Sequence, residues 1–395
     1  MDRVCMVVQS HYPADGRVRR QAEALAREGI GTDVICLRGE DEPDFEQHGL
    51  VNAYRVMESG PKESLGRYLW LCSKFATIAF FKLQSLARRN HYKVIQAHSM
   101  PDSLVFTGLV QRVAGTPVVL DLHDLSVELF RSKLDGSKAR ALAPVVRGIE
   151  KISTGFAHRL ITTSGGFERR LIERGVPKDK ITLVLNTADP HIFQFQSDRR
   201  FVVITEGARL LYHGTIQPRF GMTRAIEAIA KVQDHIPGTT LRIYGTCEPE
   251  YRRELDARIS ELGLKDRVLF PGFVRPEEIS EIIRESDFGL VPYESDEFMN
   301  LALSTKAFEY TATGLPVIAS RLDSMESIFD DECISFADPS RADDLAEKIV
   351  EMCLNPQLRQ SRAGKAAERI SEISGAVMAE RYVNLIRGLM EANGE

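Results

Sequence analysis

The chain has 395 residues, 43% of them hydrophobic and 27% charged; these are the proportions of a soluble globular protein, they exclude a fibrous or disordered class, and they allow two domains with real cores. Charge is uneven, with +6 over residues 1–200 and −11 over the remainder. A basic half can face nucleic acid or an anionic membrane, and since no nucleic-acid module with interleaved aromatics is visible, no nucleic-acid partner is expected and the membrane is the preferred of the two. Six scattered cysteines with no close pair read as free thiols, and Met1-Asp2-Arg3-Val4 enters a strand with no charged and apolar leader, so a cytoplasmic location is expected.

In chain order, a strand over 4–8 is followed by the loop Pro13-Ala14-Asp15-Gly16-Arg17, a helix over 17–27 and a strand over 33–37. Gly16 sits at a helix start after a strand, which by itself is a weak ligand signal. The segment 65–86 breaks the alternation. Leu65, Leu69, Cys72, Ala76, Ala79, Leu83 and Leu86 form one apolar stripe, Tyr68, Leu71, Phe75 and Ile78 a second, with Lys62, Arg67, Lys74, Lys82, Arg88 and Arg89 around them. Its apolar core is too short and too interrupted by Lys74 to span a bilayer, so it reads as a surface-lying or acceptor-binding helix over 62–89, against a plain core helix. A strand over 94–97, a helix over 102–114 and a strand over 118–122 follow. The last ends in Asp121-Leu122-His123-Asp124, where His123 can donate to a sugar hydroxyl or phosphate, or simply pair with Asp121 or Asp124. These groups are too close in sequence to converge on a metal without other ligands, and no metal is expected.

The stretch 187–200 has the turn chemistry of a linker. Beyond it come strands over 210–213, 240–244, 268–270 and 289–291, alternating with helices over 222–232, 249–262 and 276–285, which makes two doubly wound domains with ligands beyond the carboxyl ends of the strands. After the strand 210–213, Gly214 lets backbone approach a ligand and Arg219 offers a planar fork to phosphate near a helix start, unless it is an ordinary surface arginine. Ser304 or Thr305 can cap a helix over 306–312, Gly314 can end it in the left-handed conformation, and a strand over 317–319 follows. Lys306 and Glu309 then share a face beside the unpaired N–H groups of the first turn, either as a site for a phosphorylated, hydroxyl-bearing ligand or as an exposed Lys–Glu pair.

Together these segments resemble the retaining glycosyltransferases of family 4, which have the GT-B fold of two Rossmann-like α/β domains facing across a cleft. The resemblance covers nearly the whole chain. Its most specific parts are Tyr212-His213-Gly214-Thr215 with Arg219-Phe220-Gly221, and Ser304-Thr305-Lys306-Ala307-Phe308-Glu309-Tyr310 leading to Gly314-Leu315-Pro316. Asp15-Gly16-Arg17, His98 with Pro101-Asp102, Asp121-Leu122-His123-Asp124, and Asn186 with Asp189-Pro190 resemble the family's first-domain and linker segments. It implies an N-terminal acceptor-side domain over 1–195, a C-terminal donor domain over 200–375, and a terminal helix over 376–395 packing back on the first.

What the resemblance implies for function is transfer of a hexose-type sugar, with retention and without a metal or other cofactor, from a nucleotide-sugar co-substrate to a hydroxyl of a carbohydrate or lipid-linked acceptor. Arg219 and Lys306 match the pair that holds the donor pyrophosphate, Glu309 the glutamate that binds the ribose, His123 the histidine that reaches the sugar, and Phe273 and Val274 the nucleobase segment. Gly16, Gly214, Thr215, Ser304 and Thr305 complete the implied donor contacts. The leaving phosphate itself helps deprotonate the acceptor, so no protein nucleophile is expected. Two departures stand out. The family's first glutamate, eight positions before Glu309, is here Leu301, with Asn300, Glu297 and Glu294 nearby; and its common lysine before the phosphate-loop glycine is Phe220, as in an arginine-aromatic-glycine subset. An epimerase of the same fold, or a sugar-binding protein without catalysis, are the alternatives. The basic first half and the helix over 62–89 favour an acceptor presented at the inner face of a membrane, as in lipid-linked polysaccharide assembly.

Overall fold

The computed structural model describes residues 1–60, 64–133 and 136–392; Lys62 of the expected surface helix and residues 393–395 of the expected terminal helix lie outside them. The chain divides into two compact units, Met1–Leu185 with Met378–Glu395, and Asn186–Val377.

The first unit is built on an eight-stranded sheet. Its strand order is Phe45–His48, Val51–Glu58, Gly31–Arg38, Arg3–His11, Tyr92–His98, Val118–Leu122, Arg159–Thr162, Ile181–Leu183. Neighbours are parallel except for the hairpin of the first two. The central strands read as unbroken apolar runs because helices cover both faces: Val4, Cys5, Met6 and Val7 are all fully buried. Right-handed crossovers put Gly16–Arg27, which leads leftward in this order, on one face of the sheet. The rightward connections, Leu65–Ala87, the 3₁₀ segment Asp102–Gly108 with Leu109–Val113, and Gly136–Phe156, lie on the other. Neighbours in that second layer touch: Gln111 Nε2 donates to Gln84 Oε1 at 2.8 Å, and the Phe106 and Phe156 rings are 5.0 Å apart.

Two local expectations change. The single α-helix over 102–114 is a 3₁₀ segment followed by a short α-helix. Gly108 lies so close to the sheet that a Cβ there would be 3.2 Å from Ile95 and 3.3 Å from Val118, an approach a side chain would obstruct. In Leu65–Ala87 the buried face is Leu71, Cys72, Phe75, Ala79, Leu83 and Leu86, drawn from both predicted stripes, while Leu65 and Leu69 are exposed.

The second unit carries a six-stranded parallel sheet in the order Val268–Gly272, Thr240–Tyr244, Arg209–His213, Phe288–Val291, Val317–Ser320, Ser335–Ala337. The chain starts in the middle, winds outward, then returns to the other side of Arg209–His213. The turning point therefore lies between Arg209–His213 and Phe288–Val291, and the loops after those two strands flank the crevice in which such sheets bind ligands. The terminal helix Gly375–Glu391 enters the first unit: Tyr382 is fully buried and donates to Gln96 Oε1 at 2.7 Å, and Arg387 pairs with Glu28.

Candidate active site

In the second unit, the loop after Arg209–His213 is shaped by two glycines. Gly214 has φ 106°, and a Cβ on it would lie 2.8 Å from Lys306 Cε, so the lysine chain rests directly on bare backbone. Gly221, at φ 68°, closes the 3₁₀ turn Pro218–Phe220 and starts the helix Met222–Val232 against the Pro292 carbonyl, where a Cβ would come within 1.7 Å of the oxygen. Gly221→Ala should cost about 2–3 kcal/mol through left-handed strain and collision with backbone that cannot move aside, read as a lower denaturant midpoint at unchanged slope.

Lys306 is only 9% exposed. Its Nζ lies 5.1 Å from the Tyr212 ring, 5.2 Å from Phe220 and 5.6 Å from Tyr293, and donates to the Tyr293 hydroxyl at 3.2 Å. Three rings and a hydroxyl hold the ammonium without neutralising it, which leaves a full charge facing the loop. Ser304 stands at the cap position of Thr305–Ala312, but its hydroxyl is 3.0 Å from the Tyr293 hydroxyl and makes no capping bond, so the first-turn N–H groups keep their affinity for an anion. Phe220 supplies one wall of the Lys306 cage. The preceding Arg219 is half-buried, with its guanidinium carbon 5.7 Å over the Phe298 ring, in the turn that opens the uncapped helix Met222–Val232.

One turn beyond Lys306, Glu309 Oε2 lies 3.1 Å from His213 Nε2, the last residue of the strand, and the His213 ring packs edge-on to Tyr310 at 5.2 Å. The two atoms are within ion-pair reach, and neither has a hydrogen-bond partner among the described residues. Thr215 is exposed beside Gly214. Phe273, 70% exposed, and Val274 follow the edge strand Val268–Gly272, two strands from Arg209–His213, and are not part of the Lys306 cluster. Leu301 lies in a turn closed by its own N–H to the Phe298 carbonyl at 3.0 Å. Neighbouring Asn300 is engaged with Ser295, Asp296 and Asp323, and Glu294 pairs with Arg224 at 2.7 Å. Tyr212, His213 and Tyr293 were not singled out for a role; the signal was their place at or just past the ends of the two central strands.

In the first unit, Asp15 caps the helix Gly16–Arg27, accepting from Arg17 N and Val18 N at 3.2 Å, with Gly16 as the first helical residue. Arg17 reaches back to the fully buried Asp121, donating through Nη2 at 2.8 Å and Nε at 3.0 Å, and Gln21 Nε2 donates to the same carboxylate at 2.7 Å. Burial alone would raise the Asp121 pKa, but Arg17, His98 and His123 hold it well below the usual carboxylate range. His123 Nε2 is 3.1 Å from His98 Nδ1 and 3.8 Å from Asp121 Oδ2. Its backbone is pinned by Ser99 at 3.0 Å and Thr163 at 2.9 Å. Burial pushes its pKa down to about 4, against the pull of Asp121 and helped by Arg17 and His98, so it is a neutral hydrogen-bonding group at pH 7. The ligand atoms of His98, Asp121 and His123 all lie within 4.8 Å of one another. The donor set does not suit a cation, because Arg17 already places its positive charge on Asp121 and the two imidazoles are bonded to each other. Sequence reading paired His123 with Asp121 or Asp124; its nearest ring partner is His98 on the next strand.

Asp102, just after Tyr92–His98, is buried and accepts from Ser126 Oγ at 2.9 Å. Burial raises its pKa to about 7, opposed by Ser126 and helped by Glu150. A raised carboxyl pKa gives stability that is complete below the unfolded value near 4 and is lost as pH rises to about 7. His123, with its lowered pKa, works in the opposite sense, losing stability as pH falls from about 6.5 toward 4. Asp102→Asn should therefore raise the melting temperature relative to the parent by a few degrees more at pH 8 than at pH 4, measured by thermal unfolding across that range.

Comparison with known proteins decides what these two sites belong to. Residues 15–187 match the family described as glycosyl transferase 4-like domain, and residues 194–369 match glycosyl transferases group 1. This chain is a glycosyltransferase with the GT-B fold. The enzyme is 27% identical over 331 residues to D-inositol 3-phosphate glycosyltransferase of Acidothermus cellulolyticus, covering 78% of this chain and 70% of that protein. It is 22% identical over 367 residues to 2-deoxystreptamine glucosyltransferase of Streptomyces kanamyceticus, covering 88% and 92%. Among solved structures, the glycosyltransferase matches sucrose-phosphate synthase of Thermosynechococcus elongatus with a TM-score of 0.80 at 20% identity, over 99% of this chain and all of that one. HepE of Anabaena in complex with UDP-glucose matches at 0.70 and 18%, over 98% and 100%.

Proposed function

We propose that this glycosyltransferase moves a hexose-type sugar from a nucleotide-sugar donor to an acceptor hydroxyl with retention at the anomeric carbon and without a metal. The observation that carries the reading is Lys306, a caged ammonium whose chain rests on Gly214 at the turning point of the second sheet. In the reaction the bond from the anomeric carbon to the diphosphate oxygen breaks, the acceptor oxygen bonds to the same face, and the acceptor proton passes to the departing phosphate. Lys306 and Arg219, with the open helix starts beside them, stabilise the negative charge that develops on the leaving group, the part a metal plays elsewhere. Glu309, beside His213, binds the ribose hydroxyls. Gly16, Thr215, Ser304 and Thr305 line the donor, Phe273 and Val274 meet the nucleobase, and His123, kept neutral, donates to a sugar hydroxyl. The complex of the Anabaena protein with UDP-glucose supports a nucleotide sugar as donor.

The acceptor in this reading is a lipid-linked or surface polysaccharide intermediate, met at the inner face of a membrane through the helix Leu65–Ala87. No helix among the described residues is long and apolar enough to cross one. Thermal-shift screening against UDP-, GDP- and ADP-linked sugars identifies the donor, because a ligand bound only by the folded state raises the midpoint. Transfer is then followed with that donor in the presence of EDTA, and the anomeric configuration of the product is read by NMR. An inverted product, or activity abolished by the chelator and restored by a divalent ion, would sink the reading; release of an epimerised nucleotide sugar instead of free diphosphate would replace it with an epimerase.

A further inference from the structure

The outer surface of the first unit's second helical layer is apolar well beyond one helix. On Leu65–Ala87, Leu69, Trp70 and Phe81 are 55%, 49% and 65% exposed. On the adjoining Leu109–Val113, Val113 is 81% exposed. On Gly136–Phe156, Val145, Ile149 and Ile152 recur at helical spacing and are 59%, 43% and 64% exposed. These residues sit on three neighbouring elements of one layer, joined by the Gln84–Gln111 and Phe106–Phe156 contacts. Scattered apolar residues on a surface are ordinary, but so many on adjacent outward faces mark an interaction surface.

The exposed charge on the described residues of these three elements is of one sign. From Ser64 to Pro101 and from Ser103 to Leu120 there is no aspartate or glutamate at all, in a chain with 56 of them. Between residues 142 and 156 the single acid is Glu150, which is buried and paired with Arg174 at 2.7 Å. The cations are spread among the apolar groups. The Arg67 guanidinium carbon and Lys74 Nζ lie 4.6 and 5.1 Å over the Trp70 ring, Arg88 and Arg89 are exposed past the end of that helix, and Arg147 and Lys151 flank Ile149.

We propose that this three-element face is a docking surface for an anionic phospholipid bilayer, with Trp70, Phe81, Val113 and Ile152 entering the interface and the surrounding lysines and arginines meeting lipid phosphates. Charge decides the occupant: apolar side chains ringed by cations, with no exposed carboxylate among the described residues of the three elements, complement a surface that is both negative and apolar just beneath its headgroups. A second copy of the same face would bring cation against cation. The proposal deepens the membrane-side reading of the acceptor and rests on it for its purpose. Binding is measured without donor or acceptor, so its failure leaves sugar transfer untouched and failed transfer leaves it standing.

Co-sedimentation of the full chain with vesicles of phosphatidylglycerol and phosphatidylethanolamine is expected to exceed that with phosphatidylcholine vesicles by at least about tenfold and to fall with added salt. Trp70→Ser with Phe81→Ser, and separately Val113→Asp with Ile152→Asp, should each lower binding about tenfold or more while circular dichroism and melting temperature hold. Lys74→Glu with Lys151→Glu gives a second route with no apolar change and should do the same. Equal binding to neutral and anionic vesicles overturns the proposal, as does no binding. Loss confined to the Trp70 and Phe81 variant overturns the three-element face. Concentration-dependent dimers abolished by either apolar pair assign the face to a second copy and also overturn it.

Discussion

Lys306→Ala should lower turnover by at least about a hundredfold, the usual consequence of removing a transition-state charge contact, and Arg219→Ala should do the same. The Lys306 ammonium sits among three rings, and no carboxylate among the described residues pairs with it there, so its charge remains for the ligand. Alanine removes that charge, and it also opens the space over Gly214 that the lysine chain fills. Lys306→Met keeps most of the volume and separates the two effects: its melting temperature should stay near the parent's while turnover falls as far as in the alanine variant. If the contact forms mainly in the transition state, kcat and kcat/KM fall together, whereas a rise in KM alone would assign Lys306 to uniform donor binding. Steady-state kinetics with a saturating donor makes the distinction, and near-normal turnover in either variant removes the residue from the mechanism.

The largest stability effect is expected at Arg17. Asp121 is fully buried in the low dielectric of the interior and is kept ionised chiefly by that one guanidinium, with His98 and His123 helping. Arg17→Met leaves a buried carboxylate without its counter-charge, at a cost of about 3–5 kcal/mol, where replacing both partners costs much less. The double variant Arg17→Met with Asp121→Asn should therefore be more stable than Arg17→Met alone, which a double-mutant cycle by chemical denaturation reads directly. In the single variant Asp121 gains protons on folding, so the deficit shrinks as pH falls toward 4. The parent behaves in the reverse way: its depressed Asp121 pKa contributes stability above the unfolded value near 4 and loses it as pH falls through the lower folded value.

The central strands were legible because each is a short apolar run set off by turn residues, and the elements named in the second unit fall close to their predicted bounds for that reason; Phe45–His48, Val51–Glu58, Arg159–Thr162, Ile181–Leu183 and Ser335–Ala337 were not read from the sequence. Periodicity did not tell that 102–114 winds as a 3₁₀ segment first. Nor could it say which of two stripes of Leu65–Ala87 faces inward: both are apolar, and packing against the sheet chooses a mixture. At the site, residue types and spacing singled out Lys306, Glu309, Arg219 and His123. What they did not show is the set of partners that gives each its state: the aromatic cage of Lys306, His213 beside Glu309, and His98 and Arg17 around Asp121. Those partners lie on other strands and helices, tens to hundreds of residues away along the chain.

The return of the last helix to the first unit has a consequence for how the protein is made. The second unit is one continuous stretch, Asn186–Val377, whereas the first waits for Met378 onward to supply Tyr382, whose hydroxyl completes the hydrogen bonding of Gln96 and, through Gln96 and Gln21, of the carboxylate at Asp121. During synthesis at roughly 5–20 residues per second, the first half of the chain therefore spends on the order of ten seconds or more outside the ribosome with a gap in its core. The first unit to be translated is the last to be finished, and a chain stopped short of Tyr382 leaves a complete second unit joined to a first whose polar core stays open.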